Sequence, residues 1–221
     1  MNAILENLSV CIEAGKVNRA TPYPPQMKDQ PGADEYTRDA LQEGVSPVDI
    51  LNQALIPAME KVGQKFSEHK IFVTQMLISA KAMNASMQHL KPYFQTGEVK
   101  RKGTFIIGTV FGDLHDIGKN LVAMLIEGAG WEVIDLGIDV KAEKFTNALQ
   151  QHPEAVVGIS ALLTTTMNNM QPVVKAVKEI SPATKVILGG APLSAEFAQS
   201  IGADGYAKDP QEGAKLLDML K

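Results

Sequence analysis

The sequence has little cysteine and few aromatic residues. Cys11 is the one cysteine among 221 residues, which excludes an internal disulfide framework and any zinc or iron–sulfur site built on cysteines. Cys11 lies between Val10 and Ile12 in an apolar helical stretch, so we expect it to be a small buried side chain. Aromatic residues make up 5% of the chain, whereas methionine occurs ten times. Methionine fills irregular apolar gaps, which favours cores of flexible side chains.

An excess of basic charge and long apolar runs are also missing. The net charge is −4 at pH 7, and no basic run interleaved with aromatics occurs, so we expect no nucleic-acid partner and no anionic membrane surface. The apolar runs are far shorter than the roughly 18 residues that suggest a membrane span. The first ten residues lack the pattern of a secretory signal. We therefore expect a cytoplasmic globular protein.

Residues 1–95 carry the periodicity of helices, and we expect a four-helix bundle there. Ser46 can cap a helix whose first position is Pro47. Apolar residues then recur at three- and four-residue spacing, which marks two helices. Pro92 is expected to stop the second of these. Further helices are expected near 2–16 and 34–43, with a proline-rich loop over 18–32.

After a linker over 96–102, the pattern changes to short apolar runs that alternate with helical segments. Strands at this interval imply right-handed crossovers and a parallel sheet. Residues 103–221 therefore predict a five-strand, flavodoxin-like (Rossmann-type) α/β domain, which binds ligands beyond the carboxyl ends of its strands. The five strands are expected at 104–110, 132–136, 155–160, 185–188 and 205–207.

The segment after the first strand, GDLHDIGKN at 112–120, carries one histidine with a carboxylate two residues before it. A phosphate-binding loop is excluded because five residues separate Gly112 from Gly118, where that motif has four, and because Asn120 follows the lysine. The G-x-G-x-x-G dinucleotide fingerprint is absent too. Asp113 is placed to accept the second ring N–H of a metal-bound His115. One imidazole cannot form a self-sufficient zinc site, so a metal would have to bring its own equatorial ligands.

Three motifs follow one another along the α/β domain: Asp113-x-His115-x-x-Gly118, Ser160-Ala161-Leu162 and Gly189-Gly190. Together they resemble the signature of cobalamin-binding domains. The helical half resembles the bundle that precedes that domain in cobalamin-dependent methionine synthase and in the corrinoid proteins of methyltransferase systems. Those systems include ones that demethylate methanol, methylamines, glycine betaine or aryl methyl ethers. The resemblance covers residues 34–221.

The resemblance implies a role for each matching residue. His115 would replace the benzimidazole base of the corrinoid as lower axial ligand of cobalt, and the displaced nucleotide tail would enter a cleft of the α/β domain. Asp113 would hold His115, and Thr166, where methionine synthase has serine, would continue this relay. Gly189 and Gly190 would let the tail approach the backbone closely. The expected cofactor contacts in the domain are Asp113, His115, Asp116, Ile117, Gly118, Ser160, Leu162, Thr164, Gly189 and Gly190.

The segment from Phe66 to Val73 resembles the cap that covers the upper face of cobalamin in this family. Phe66 and Val73 stand at the matching cap positions, although ordinary core packing explains their apolar character equally well. The family often has proline after the second position, where this chain has Thr74. The helix that follows can therefore begin at a different residue from the one at which it begins in the family.

The resemblance implies a cytoplasmic methyl carrier in one-carbon metabolism, with cobalamin (vitamin B12) as cofactor and methylcobalamin as its loaded form. A substrate:corrinoid methyltransferase would load the cobalt during demethylation of a donor. A second methyltransferase would pass the methyl group to tetrahydrofolate or a similar acceptor, and a reductive activator would restore cobalt(I). The chain shows no substrate pocket of its own, so we expect a shuttle subunit that does not catalyse the reaction alone.

Three alternatives of other classes stay open. A cobalamin-dependent sensor or regulator uses a similar bundle and domain but needs a DNA-binding module, and the acidic first forty residues offer no basic recognition helix. The cobalamin-binding subunit of a mutase shares Asp-x-His-x-x-Gly, but no preceding bundle is expected there. A flavodoxin-like module that has lost its ligand would not need the three-part signature.

Overall fold

Helices form the first part of the chain, and strands alternate with helices in the rest. The computed structural model describes residues 3–220. One unit runs through Arg101 and includes Gly128–Gly130, and the other comprises Lys102–Glu127 and the chain from Trp131 onward. Within the described residues, no helix combines the length and hydropathy that crossing a bilayer requires.

The helical unit contains the expected bundle. A π-helical stretch, Ile50–Leu55, joins α3 to α4, so that the three form one continuous helical segment. Ser46 caps this segment as expected, since its Oγ accepts the Asp49 N–H at 3.1 Å. Pro57 follows the π-helical stretch and has no N–H to donate, which favours a local change in the hydrogen-bond pattern. The helices are α1 (Ala3–Ala14), α2 (Ala33–Gln42), α3 (Pro47–Asp49), α4 (Ile56–Ser67) and α5 (Val73–Gln95).

The expectation that Pro92 ends its helix is wrong, because α5 continues through Pro92 to Gln95. Proline removes a single backbone hydrogen bond, and a position one turn from the end of a long helix tolerates that loss. Residues 96–101, expected to be part of a linker, fold back on the end of α5. Val99 is buried, and its N–H donates to the Tyr93 carbonyl at 3.1 Å.

The core of the helical unit is made of aliphatic and methionine side chains. Cys11 is fully buried, as its apolar neighbours in the sequence indicate. Burial raises the pKa of its thiol to about 12, so this cysteine is chemically quiet at neutral pH. Thr37 on α2 donates to the Ser86 hydroxyl on α5 at 2.8 Å, a buried bond that joins the two helices. Met59, Met76, Met83 and Met87 are all buried.

The second unit is a five-stranded sheet in the order β2-β1-β3-β4-β5, and every neighbouring pair is parallel. This confirms the flavodoxin-like topology. The strands are β1 (Thr104–Thr109), β2 (Glu132–Asp135), β3 (Val156–Ser160), β4 (Val186–Gly189) and β5 (Gly205–Ala207). The helices between and after them are α6 (Ile117–Gly128), α7 (Ala142–Gln151), α8 (Met170–Ile180), α9 (Ala195–Ser200) and α10 (Pro210–Leu220).

The strand order places the loops after β1 and β3 next to each other. The two strands pair in register from Phe105 opposite Val156 to Thr109 opposite Ser160. The chain turns to opposite sides of the sheet after these two strands, which leaves a crevice at their carboxyl ends. The polar residues of the first and second motifs therefore emerge side by side.

Candidate functional site

Asp113 is the centre of the loop between β1 and α6. Its side chain is fully buried, and both carboxylate oxygens accept hydrogen bonds. Oδ1 accepts from the ring Nδ1 of His115 at 2.8 Å and from the His115 backbone N–H at 3.1 Å. Since a carboxylate can only accept, the proton of the imidazole lies on Nδ1, which leaves Nε2 as the nitrogen for a metal.

The second oxygen of Asp113 is bonded by the loop after β3. Oδ2 accepts from the Thr166 hydroxyl at 2.7 Å and from the Leu162 N–H at 2.8 Å. The Leu163 N–H lies at 3.3 Å from the same oxygen. Thr166 is itself buried. The structure thus brings His115, Asp113 and Thr166 into one hydrogen-bonded series, although 53 residues separate the last two in sequence.

Asp113 remains ionised in this setting. Burial alone would raise the pKa of its carboxyl group, because a buried charge loses its hydration. The hydrogen bonds from Thr166, from the Leu162 N–H and from His115 outweigh this effect and hold the pKa of Asp113 well below its ordinary value. A fixed negative charge therefore lies next to Nδ1 of His115, where it holds the Nδ1–H and the orientation of the ring.

The His115 side chain is 49% exposed and borders a cleft of about 410 Å³ in the α/β unit. The cleft runs from the loop that carries His115 along the sheet, where Phe105 and Ile107 of β1 line it together with Val122 and Ile126 of α6. Its polar residues lie in loops, at helix starts and at Ser160, the last residue of β3, whereas its other strand residues are apolar or glycine. Of the expected cofactor contacts, the cleft is lined by His115, Asp116, Ile117, Gly118, Ser160, Leu162, Gly189 and Gly190.

Two glycines of the cleft are required for different reasons. A Cβ on Gly190, whose φ is +142°, would lie 1.8 Å from the Ala161 carbonyl oxygen, so protein packing alone demands glycine there. A Cβ on Gly118 would meet no described atom within 4 Å. Glycine weakens a helix relative to alanine. The missing side chain at Gly118 leaves a space beside the cleft that no other side chain among the described residues fills.

Other expected residues lie elsewhere. Thr164 is exposed and does not line the cleft, so its contact with the nucleotide tail stays a prediction. Phe66 lies in the last turns of α4 and Val73 opens α5, and both are partly buried. Their cap role also stays a prediction. Val73 begins its helix directly, with Thr74 as the second helical residue.

Sequence reasoning missed three side chains that bond the loop carrying His115. Thr109, at the end of β1, donates to the His115 carbonyl at 2.9 Å. Asp139 accepts the Gly112 N–H at 2.7 Å, and the Asn169 amide donates to the Phe111 carbonyl at 2.8 Å. Asp139 follows β2 and Asn169 follows β3, so their positions after neighbouring strands are the one signal that could have pointed to them.

Comparison with known proteins agrees with this geometry. The B12 binding domain family matches residues 103–215, and a second B12 binding domain family matches residues 28–91. A corrinoid protein of Desulfitobacterium hafniense is 36% identical over 84% of this chain and 88% of its own. The chain belongs to the B12-binding corrinoid proteins.

Two further relatives of this corrinoid protein carry more specific names. Trimethylamine corrinoid protein 1 of Methanosarcina acetivorans is 36% identical over 81% of this chain and 85% of its own. The methanol:cobalamin methyltransferase complex of Methanosarcina barkeri contains a similar chain, with a TM-score of 0.82 at 28% identity, over 99% of this chain and 80% of that one. The corrinoid protein described here is accordingly a cobalamin-binding protein.

The residues present fit a corrinoid. Among residues 3–220, no group of three or more His, Cys, Asp or Glu side chains could hold a metal ion. A corrinoid would bring most of the ligands of its own cobalt, so that the protein would have to supply one further donor, and Nε2 of His115 would be that donor. The open space at Gly118 and the adjoining cleft are of the kind that a bound cofactor fills.

We expect Gly118→Ala to stabilise the protein without cofactor by about 0.5 kcal/mol, because alanine is the better helix former. The same change should weaken binding of hydroxocobalamin, because the new methyl group enters the cleft. Denaturant unfolding and a spectroscopic titration measure the two effects. Gly190→Ala is the matched control and should destabilise the cofactor-free protein itself. Unchanged affinity in Gly118→Ala would show that the space serves no ligand.

We expect Asp113→Asn to lower the free energy of unfolding by about 1–3 kcal/mol at neutral pH, because an amide leaves buried donors unpaired. The folded-state pKa of Asp113 lies below its unfolded value of about 3.9. Its contribution is therefore fully present above that pH and is lost as the pH falls towards the folded pKa. The difference in the free energy of unfolding between wild type and Asp113→Asn should therefore become smaller at acidic pH.

Denaturant unfolding between about pH 7 and pH 3 measures this difference. Asp116→Asn is the control, because Asp116 is exposed in the same loop and asparagine preserves its capping ability. If the difference in the free energy of unfolding between wild type and Asp113→Asn does not vary with pH, this contradicts the stabilising role of the carboxylate.

Proposed function

We propose that this chain is a methyl carrier that binds its corrinoid with the cofactor's own lower base displaced and His115 on the cobalt. The observation that carries this proposal is the Asp113–His115 pair. It fixes the Nδ1 tautomer and leaves Nε2 at the edge of a cleft large enough to accept a displaced tail. When bound, the corrinoid supplies a nucleophilic cobalt centre that takes up and gives away a methyl group.

The chain's own residues orient the ligand and hold a proton. Asp113 and Thr166 fix the imidazole plane while His115 is on the metal. With His115 away from the metal, Asp113 would still accept the Nδ1–H and hold the imidazole in the loop. Thr166 keeps its hydrogen bond to Oδ2 of Asp113 in both situations. The proton thus stays at His115, and the buried carboxylate does not have to be neutralised.

The donor and the partners belong to this proposal as well. The names of the relatives support a methylated amine or methanol as methyl donor, and a separate methyltransferase that loads the carrier. A second methyltransferase with tetrahydrofolate or a similar acceptor would unload it, and a reductive activator would restore the reduced cobalt. Similarity to corrinoid proteins over 84% of the chain supports a carrier over a regulator or a mutase subunit. Phe66 and Val73 are proposed to cap the upper face of the cofactor.

We expect histidine coordination to be visible by electron paramagnetic resonance of the cobalt(II) form. The nitrogen superhyperfine multiplicity should change when the protein is made with nitrogen-15 histidine, because the axial nitrogen is then a different isotope. His115→Ala should abolish that isotope effect. His152→Ala, in the same unit beyond the end of α7, should keep it. An isotope effect that survives in His115→Ala would exclude His115 as the ligand.

We expect the reduced, cobalamin-loaded protein to retain a labelled methyl group. Labelled trimethylamine or methanol is supplied with a methyltransferase specific for that donor, and protein-bound label is measured after gel filtration. Label should stay with the loaded protein and not with the cofactor-free protein. It should leave when an acceptor methyltransferase and tetrahydrofolate are added. Turnover of the donor without label ever residing on the chain would contradict the carrier role.

A further inference from the structure

The loop that carries His115 is bonded from both sides along its first three residues. The Phe111 carbonyl accepts from Asn169, the Gly112 N–H donates to the Asp139 carboxylate, and the Asp113 carbonyl accepts the Asp139 N–H at 3.1 Å. We call Asp139 and Asn169 the loop clamp. In the sheet order β2-β1-β3, the clamp residues come from the two loops that flank the loop after β1.

Asp139 has a backbone conformation that its bonds explain. Its φ is +55°, in the left-handed region that few residues other than glycine enter, and Gly112 opposite it has φ +81°. Asp139 is exposed, so burial does not impose this conformation. An exposed non-glycine residue held in this region points to a local requirement. The two bonds that Asp139 makes to Gly112 and Asp113 supply that requirement.

Asn169 couples the clamp to the hydrogen-bonded series at Asp113. It ends the short helical turn Met167–Asn169 that directly follows Thr166. Thr166 bonds the Asp113 side chain at 2.7 Å, while Asn169 bonds the backbone two residues before Asp113 at 2.8 Å. The loop after β3 therefore holds both the carboxylate and the chain that carries it.

The clamp and the Asp113 carboxylate do separate things. The carboxylate fixes how the imidazole is turned and ties the Asp113 side chain to the loop after β3, whereas the clamp fixes the backbone of residues 111–113. Without the clamp, the backbone of these residues would be free to shift while the Asp113–His115 hydrogen bond is kept. An axial ligand has to reach a metal within a few tenths of an ångström, so such a movement would loosen coordination even with the pair intact.

We propose that Asp139 and Asn169 are positioning residues that hold the Phe111–His115 loop where His115 can coordinate cobalt. The inference rests on the proposed function, since it concerns the same ligand. Neither residue is assigned contact with the cofactor, and neither lines the cleft. Their effect acts through the backbone of the loop.

The test compares Asp139→Ala and Asn169→Ala with wild type, all loaded with cobalamin and reduced to cobalt(II). Electron paramagnetic resonance gives the ratio of histidine-bound to histidine-free cobalt. We expect this ratio to fall about tenfold in each variant, the effect of one lost hydrogen bond on an equilibrium. Thermal unfolding of the cofactor-free proteins is measured beside it.

Two controls separate positioning from general stability. Asp139→Asn keeps an oxygen that can accept the Gly112 N–H, and it should restore a ratio close to that of wild type. Asn168→Ala alters the exposed neighbour of Asn169 and should leave the ratio unchanged. If Asp139→Ala does not fold, Asn169→Ala tests the same clamp from the other side.

Three results would overturn the inference. The first is a wild-type ratio in the folded alanine variants, and the second is a fall in the ratio with Asn168→Ala as large as with Asn169→Ala. In both cases the proposed function would stand. The third is the absence of any histidine signal in wild type, which would remove His115 as ligand and the clamp's role with it.

Discussion

The site depends on one buried negative charge. Asp113 has no access to water, and an unpaired carboxylate in that position would cost several kcal/mol. It is tolerated because five donors from two loops converge on it: the ring and backbone of His115, the Leu162 and Leu163 N–H groups and the Thr166 hydroxyl. The three donors of Leu162, Leu163 and Thr166 are available only when the loops after β1 and β3 lie against each other. The charge therefore dictates the loop conformation, and the parallel pairing of β1 with β3 makes that conformation reachable.

Gly118 and Gly190 are glycines for different physical reasons. Gly190 is needed by the protein, since a Cβ would run into the Ala161 carbonyl. Gly118 is not needed by the protein, and it lies in a helix where alanine would be more stable. A residue that lowers stability without a structural reason is an argument for a ligand. Gly190, in the glycine pair at the end of β4, gives no argument for a ligand, although its motif and the motif of Gly118 belong to one signature.

The alternation of strands and helices was predictable from the sequence because buried parallel strands read as short apolar runs, and their boundaries differ from the expected ones by a residue or two. The pairing of Asp113 with Thr166 was reachable only through the family resemblance, since nothing local relates residues 53 positions apart. For Asp139 and Asn169 the sequence offers no signal beyond their positions after β2 and β3. Their roles arise from a left-handed backbone at Asp139 and from loop contacts across the sheet, neither of which has a periodicity. The prediction that Pro92 ends its helix was wrong because a proline near the end of a long helix removes a single backbone hydrogen bond, and that loss does not end the helix.

Asp113 also ties the ligand to the wall of the cleft. Oδ1 holds His115, and Oδ2 holds the backbone of Leu162, a residue that lines the cleft together with Ser160 just before it. A substitution of Asp113 withdraws support from the imidazole and from that wall at once. Weak cofactor binding by an Asp113 variant is therefore not evidence that Asp113 touches the cofactor. A substitution can change the position of the imidazole without changing the cleft wall only if the residue bonds the loop backbone and the Asp113 carboxylate stays intact. Asp139 and Asn169 meet that condition.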